Sequence, residues 1–382
     1  CWALDKIFSL DQARSHIIFK GGTSLSKVFG IIKRFSEDID LSISRECLGF
    51  PEASYLSQGM SNKEIDRRLD ELKKRCSEYI SQKLLPSLAD RFKKILGETG
   101  EWSLQIDDQD PHTILFNYPY DQSLSGDYSY IKSTVRFELG ARSDHWPSKI
   151  YEISSYAAEE FPAYFQRATC AVKTLEVERT FWEKATLLHA EFHHPKSLSN
   201  YSRHYYDLAL MIKGGVGDRS LSDLSLLGAV REHKSLFYRS KASSYETACP
   251  GTFRLLPSGK QISLLKDDYK SMKEMIFADI PTFEEIMNIL RSFENKINQG
   301  NFNESKFAFE KEKEFLPIYQ KLLKKYSIKV KQDKDLSFLD LWFVENVRRE
   351  INHVFKTIKQ EKDVKTRKIL ALILSRTIRS CR

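Results

Sequence analysis

A short apolar run, Ile17-Ile18-Phe19, meets Gly21-Gly22, then an amphipathic stretch, then Asp38-Ile39-Asp40-Leu41-Ser42-Ile43. This order constrains the fold more than any other part of the chain. Residues 16–43 read as strand, turn, helix, strand. The glycine pair breaks the first strand, and Thr23 or Ser24 is placed to cap the helix that follows. Leu25, Val28, Phe29 and Ile32 recur at helical spacing, with Lys33-Arg34 expected in the last turn, where they complement the helix dipole. In the second strand Ile39, Leu41 and Ile43 alternate with Asp38, Asp40 and Ser42, so one face is buried and the other acidic. A tight glycine turn lets backbone amides approach a phosphate. Two carboxylates on one strand face suit the magnesium that accompanies a nucleoside triphosphate.

Residues 61 to about 96 read as a helical insertion with Ile65, Leu69, Leu72 and Cys76 on one side. Segments 102–106, 113–118 and 130–139 are strand-like. In the last of these Val135, Phe137 and Leu139 face one way, Arg136 and Glu138 the other. Glu138 is the expected third metal ligand, as an acid on the polar face of an apolar strand. A Glu paired to Arg136 or Arg142 would give the same pattern. Residues 1–175 thus read as a mixed α/β domain.

From Thr180 the pattern is mostly helical. Phe181, Ala185, Leu188 and Phe192 make one stripe; Tyr206, Ala209, Leu210 and Ile212 make another, ended by Gly214-Gly215. Residues 264–297 read as two helices parted near Ile280-Pro281, which completes a helical domain over 176–298. Residues 299–382 form a basic, helical tail that reads as a separate or an incomplete module.

The 382 residues suit two or three domains, and 41% hydrophobic with 29% charged residues is a soluble, globular balance. No apolar run approaches the roughly 20 residues of a membrane span. The six cysteines form no Cys-x-x-Cys pair, which favours reduced thiols and a cytoplasmic setting. The start at Cys1, with neither Met nor a signal-peptide pattern, favours a fragment. The net charge of +8 is compatible with a polyanionic partner. His189 and His193 have a spacing that can bind zinc, but helix-end histidines are the default reading.

The stretch from Lys20 to Leu41 closely resembles the first motif of the AbiEii/AbiGii-type nucleotidyltransferases, of the DNA polymerase β-like superfamily. These act as toxins of toxin–antitoxin and abortive-infection systems. The resemblance spans roughly residues 1–295. It implies that Gly22 and Thr23 or Ser24, with Gly21 in the same turn, contact the triphosphate, and that Asp38 and Asp40 hold Mg2+. Phe181-Trp182-Glu183-Lys184-Ala185 matches the helix whose lysine contacts the nucleotide, and Arg203-His204-Tyr205-Tyr206-Asp207-Leu208 matches the arginine-to-aspartate motif. Lys184 and Asp207 are therefore implied site residues. On their own, Lys184 could equally be a solvated helix lysine, and Asp207 a partner for Arg203 one turn earlier.

The implied fold is an α/β (α+β) nucleotidyltransferase core with a mixed sheet, followed by a mostly helical domain. The implied activity moves a nucleotidyl group from an NTP to a hydroxyl, with tRNA or another RNA as acceptor and a cognate antitoxin as partner. Two alternatives stay open: a non-catalytic nucleotide- or RNA-binding module, and a transferase acting on protein hydroxyls.

Overall fold

Seven strands form one mixed sheet: β1 (Ile17–Lys20), β2 (Asp38–Ile43), β3 (Ser103–Asp107), β4 (Asp110–Asn117), β5 (Thr134–Gly140), β6 (Ser148–Ser154) and β7 (Thr169–Leu175). Their spatial order is β3-β4-β5-β2-β1-β7-β6. β2 runs parallel to β5 and β1 parallel to β7, while β1 and β2 are antiparallel. The computed structural model describes residues 1–36, 38–50, 55–57, 59–98, 102–119, 134–165, 169–194 and 200–300. These residues belong to one compact unit. Residues 130–133 of the expected fifth strand and the tail beyond 300 lie outside them.

Before the sheet and within its first half lie α1 (Trp2–Phe8), α2 (Asp11–His16), α3 (Gly21–Lys27), α4 (Asn62–Tyr79) and α5 (Leu85–Leu96). A π-helical turn, Ile80–Leu84, joins α4 to α5 without a break, and Pro86, which has no N–H to donate into the helix, follows just after that turn. Then come α6 (Tyr156–Glu160), α7 (Val177–His193), α8 (Ser202–Lys213), α9 (Val216–Leu221), α10 (Ser225–Phe237), α11 (Gly259–Met272) and α12 (Phe283–Gln299).

Two hydrophobic cores result. One gathers Ile17, Phe19, Ile39, Leu41 and Phe137 of the sheet against Leu69, Leu72 and Phe92 of the helical insertion. The other gathers Phe181, Trp182, Leu208, Met211, Leu290 and Phe293 of the later helices. Burying each such side chain is worth about 1.5–3 kcal/mol.

The helix expected after the glycine pair is shorter than its apolar spacing suggests. α3 begins at Gly21 and ends at Lys27, and Gly30 has a φ of 62°. Leu25 and Ile32 recur as they do because both enter the helical core, from a short helix and from the turn after it. Lys33-Arg34 are therefore not in a last helical turn. Residues 33–35 are extended: Phe35 N–H donates to Met275 O at 2.7 Å and Phe277 N–H to Lys33 O at 3.0 Å.

His189 is tied into the fold through both ring nitrogens. Its Nδ1 accepts from Arg254 N–H at 3.0 Å, so its proton sits on Nε2, which faces Ser244 O and Thr247 Oγ1 at 3.1 and 3.0 Å. Burial, then the neighbouring His193, pushes its pKa down to about 4. His145 is pushed down to about 3 and His233 to about 4, in each case by burial first. The unfolded chain titrates these rings near 6.5 and takes up protons that the fold refuses. Stability is thus full above about pH 6.5 and falls as pH drops toward about 4. For His189 alone the loss is on the order of 3 kcal/mol. Urea midpoints measured across that window should fall, and His189→Gln should flatten part of the slope.

Candidate active site

Strand register builds the first wall of the site. β1 sets Lys20 opposite Asp40, and β5 sets Glu138 opposite Asp40. Directly paired residues share a face of the sheet, so the three form a row across three strands. Asp38, two residues before Asp40, faces the same way and pairs with Arg136. Asp38, Asp40 and Glu138 line a cavity of about 530 Å³, together with Gly21 and Gly22.

The structure brings the three expected carboxylates to one wall, beside the glycine turn. Among the described residues, no three His, Cys, Asp or Glu side chains close around one cation-sized point. Arg136 stands among them instead. Its Nε is 3.3 Å from Asp38 Oδ1, its Nη1 3.1 Å from Asp107 Oδ2 and its Nη2 3.9 Å from Glu138 Oε1. Burial, then repulsion from Asp38 and Asp40, raises the Glu138 pKa. Like charges held this close favour any cation that neutralises them. Lys20 Nζ lies 3.8 Å from Asp40 Oδ1. Burial works against the Lys20 charge, but Asp40 and the more distant Tyr238, Glu183 and Glu138 outweigh it and raise the pKa.

Gly21 makes the close approach possible. Its φ is 75°, and a Cβ there would overlap the Asp40 carboxylate. Gly21→Ala therefore meets both a left-handed backbone, about 1–2 kcal/mol, and a steric clash with a site residue. We expect a lowered melting temperature and at least a tenfold loss of activity, because the clash displaces Asp40. Melting curves and a turnover assay check both.

The hydroxyls of Thr23 and Ser24 are engaged within the turn and do not cap α3 as expected. Thr23 Oγ1 donates to Asp38 O at 2.5 Å and Ser24 Oγ to Gly21 O at 2.8 Å. Neither residue lines the cavity. They tie the turn to β2 and to itself, which holds Gly21 and Gly22 at the cavity wall.

The opposite wall comes from α7, α8, α10 and the loop after α10. Lys184 on α7 lines the cavity, and its Nζ is 2.9 Å from Asp207 Oδ2. Arg34 donates to the same carboxylate through Nε and Nη2, both at 2.8 Å. Asp207 is 0% exposed and is not part of the cavity lining. It sits behind Lys184 and Arg34 as their shared anchor. Arg203 lines the cavity, but Asp207 is paired with Arg34 and Lys184 and not with Arg203 one turn earlier. Burial alone would raise the Asp207 pKa. Lys184 and Arg34 outweigh it and hold the carboxyl well below the usual range.

Among the described residues, seven basic side chains and four carboxylates line the cavity. Sequence reasoning missed Lys20, Arg34, Glu183 and Lys234. Lys20 ends an apolar strand and carries no signal of its own beside the glycine pair. Arg34 read as a helix end. Lys234 lies in a segment, 225–237, with no motif to flag it.

A family model described as nucleotidyl transferase AbiEii toxin, type IV toxin–antitoxin system, matches residues 2–298. No curated protein matches the sequence. Among solved structures, MenT4, a nucleotidyltransferase toxin from Mycobacterium tuberculosis, is similar at 16% identity and a TM-score of 0.31, over 76% of this chain and 90% of that one.

Proposed function

The chain belongs to the AbiEii family of nucleotidyltransferase toxins of type IV toxin–antitoxin systems, and we propose that it uses magnesium to move a nucleotidyl group from a nucleoside triphosphate to an RNA hydroxyl. One observation carries this reading: Asp38, Asp40 and Glu138 share a cavity wall with Gly21 and Gly22, facing a basic wall. The donor set fits magnesium, since all three ligands are hard carboxylate oxygens, and burial followed by repulsion from Asp38 and Asp40 raises the Glu138 pKa. Asp38, Asp40 and Glu138 would hold the metal. Bound there, magnesium would offset charge on the triphosphate and on the departing pyrophosphate.

The chain's own residues do the rest. The backbone at Gly21 and Gly22, free of side chains, lets phosphate oxygens come close. Lys184, oriented by Asp207, presents a fixed positive charge from the other wall. The acceptor oxygen attacks the α-phosphorus, the bond to the pyrophosphate oxygen breaks, and Glu138 is placed to take the hydroxyl proton. Positioning of the two reactants supplies much of the rate.

An RNA acceptor is favoured by the excess of basic over acidic side chains lining the cavity. Family membership implies a cognate antitoxin, and an RNA acceptor places the reaction in the cytoplasm. Among the described residues no helix is long and apolar enough to cross a membrane. Incubation with each labelled triphosphate and total RNA should label the RNA and release pyrophosphate. Label on protein alone would overturn the RNA acceptor.

A further inference from the structure

Most of the basic side chains around the cavity already have an anion. Lys20 faces Asp40, Arg34 and Lys184 share Asp207, and Arg239 pairs with Asp66 at 3.2 Å. Lys234 on α10 does not. It lines the same cavity and is only 9% exposed. Among the described residues its ammonium makes one hydrogen bond, to the main-chain oxygen of Glu183 at 2.6 Å, and no ion pair within 4.0 Å. Nζ stands 5.6 Å from the centre of the Tyr245 ring. The Glu183 carboxylate is engaged by Arg179 Nε at 3.1 Å.

A buried ammonium with a carbonyl and an aromatic face but no counter-ion is an unfavourable arrangement. It makes sense where the anion arrives with the ligand. Lys184, the lysine that the motif singles out, is already held by Asp207, which it shares with Arg34, before any nucleotide binds. We propose that Lys234 is a phosphate-binding residue of this cavity and supplies a buried positive charge, not offset by any paired carboxylate among the described residues, to the triphosphate. The proposal rests on the nucleotidyltransferase reading, which makes a triphosphate the incoming anion.

The surroundings of Lys234 give the proposal a pH signature. Burial first, with Arg179 and Lys184 adding to it and Glu183 opposing, pushes its pKa down to about 8. All three neighbours lie on α7. Tyr245, raised above its usual value, faces it from the loop, and His233, at about 4, precedes it on α10. Neither titrates near neutrality. Above about pH 8 the free protein loses the Lys234 charge, so phosphate binding must restore a proton and affinity falls.

Calorimetry with inorganic tripolyphosphate and with each of the four ribonucleoside triphosphates, in magnesium, tests this on the full chain. Wild type should bind. Lys234→Met should weaken both kinds of probe about tenfold or more, the worth of one charged hydrogen bond. Lys234→Arg should stay within about threefold of wild type near pH 7 and, unlike wild type, keep its affinity to about pH 9. Wild-type affinity in Lys234→Met overturns the proposal. A wild-type-like decline of Lys234→Arg above about pH 8 overturns it as well, and that variant decides the matter should Lys234→Met fail to fold. Wild type binding neither probe would instead remove the nucleotide reading, and the role of Lys234 with it.

Discussion

Replacing Asp38 and Asp40 together by Ala abolishes transfer while leaving the protein folded: that is the expected result of the double substitution. Metal-borne charge stabilisation is worth several kcal/mol, and tenfold in rate corresponds to about 1.4 kcal/mol, so the loss should reach about 10³-fold or more. The fold should tolerate the change, because both carboxylates are partly exposed, at 25% and 30%. Arg136 keeps Asp107 as a partner at 3.1 Å, and Glu138 loses two repelling neighbours. A second readout needs no turnover. A ligand that binds only the folded state raises its melting temperature. Magnesium should therefore shift the melting curve of wild type and not that of the double variant. Full transfer in the double variant would refute the metal assignment; an unchanged magnesium shift would place the metal elsewhere.

The carboxylate wall was legible in the sequence because strands alternate with period two. Ile39, Leu41 and Ile43 told which face is buried, so Asp38 and Asp40 had to share the other. Glu138 was found by the same rule on β5. What the rule could not supply was register. That Asp40 lies opposite both Lys20 and Glu138 depends on which strands become neighbours. β6 and β7 were not anticipated. β6 is an edge strand with a single buried residue, Ile153, so it lacks a clear apolar face, and β7 alternates through the small residues Cys170, Val172 and Thr174.

The helical wall was legible only as helices. The stripes on α7 and α8 and the stop at Gly214-Gly215 followed from 3.6-residue spacing. The partners on those helices did not. Arg34 reaches Asp207 across 173 positions, a distance that no local pattern encodes. The same pairing explains the misread helix end: Arg34 leaves the helical register because a buried carboxylate and a bridge to Ile276 hold it extended. Tertiary partners override local propensity here.

Asp207→Ala should show the opposite balance to the Asp38 and Asp40 pair, with stability lost first. Asp207 is wholly buried and accepts three hydrogen bonds from two cations that are only 4% and 12% exposed. Its truncation leaves both charges buried and uncompensated, and breaking a buried pair in this way costs about 3–5 kcal/mol. The damage has a direct route to the site. A side-chain carbon on Gly22 would stand 2.9 Å from Arg34 Nη2, so the guanidinium packs against the glycine turn and moves it if released. Urea denaturation followed by tryptophan fluorescence measures the loss. Adding Lys184→Met to Asp207→Ala should recover part of it, because one orphaned charge is removed, and a double-mutant cycle reads the coupling. The acid limb carries a matching signature: the Asp207 contribution is full above the unfolded carboxylate pKa, about 3.9, and fades only below it. A ligand would behave otherwise. Should Asp207→Ala unfold at the wild-type urea midpoint yet lose all transfer, Asp207 would belong to the reacting cluster and not behind it.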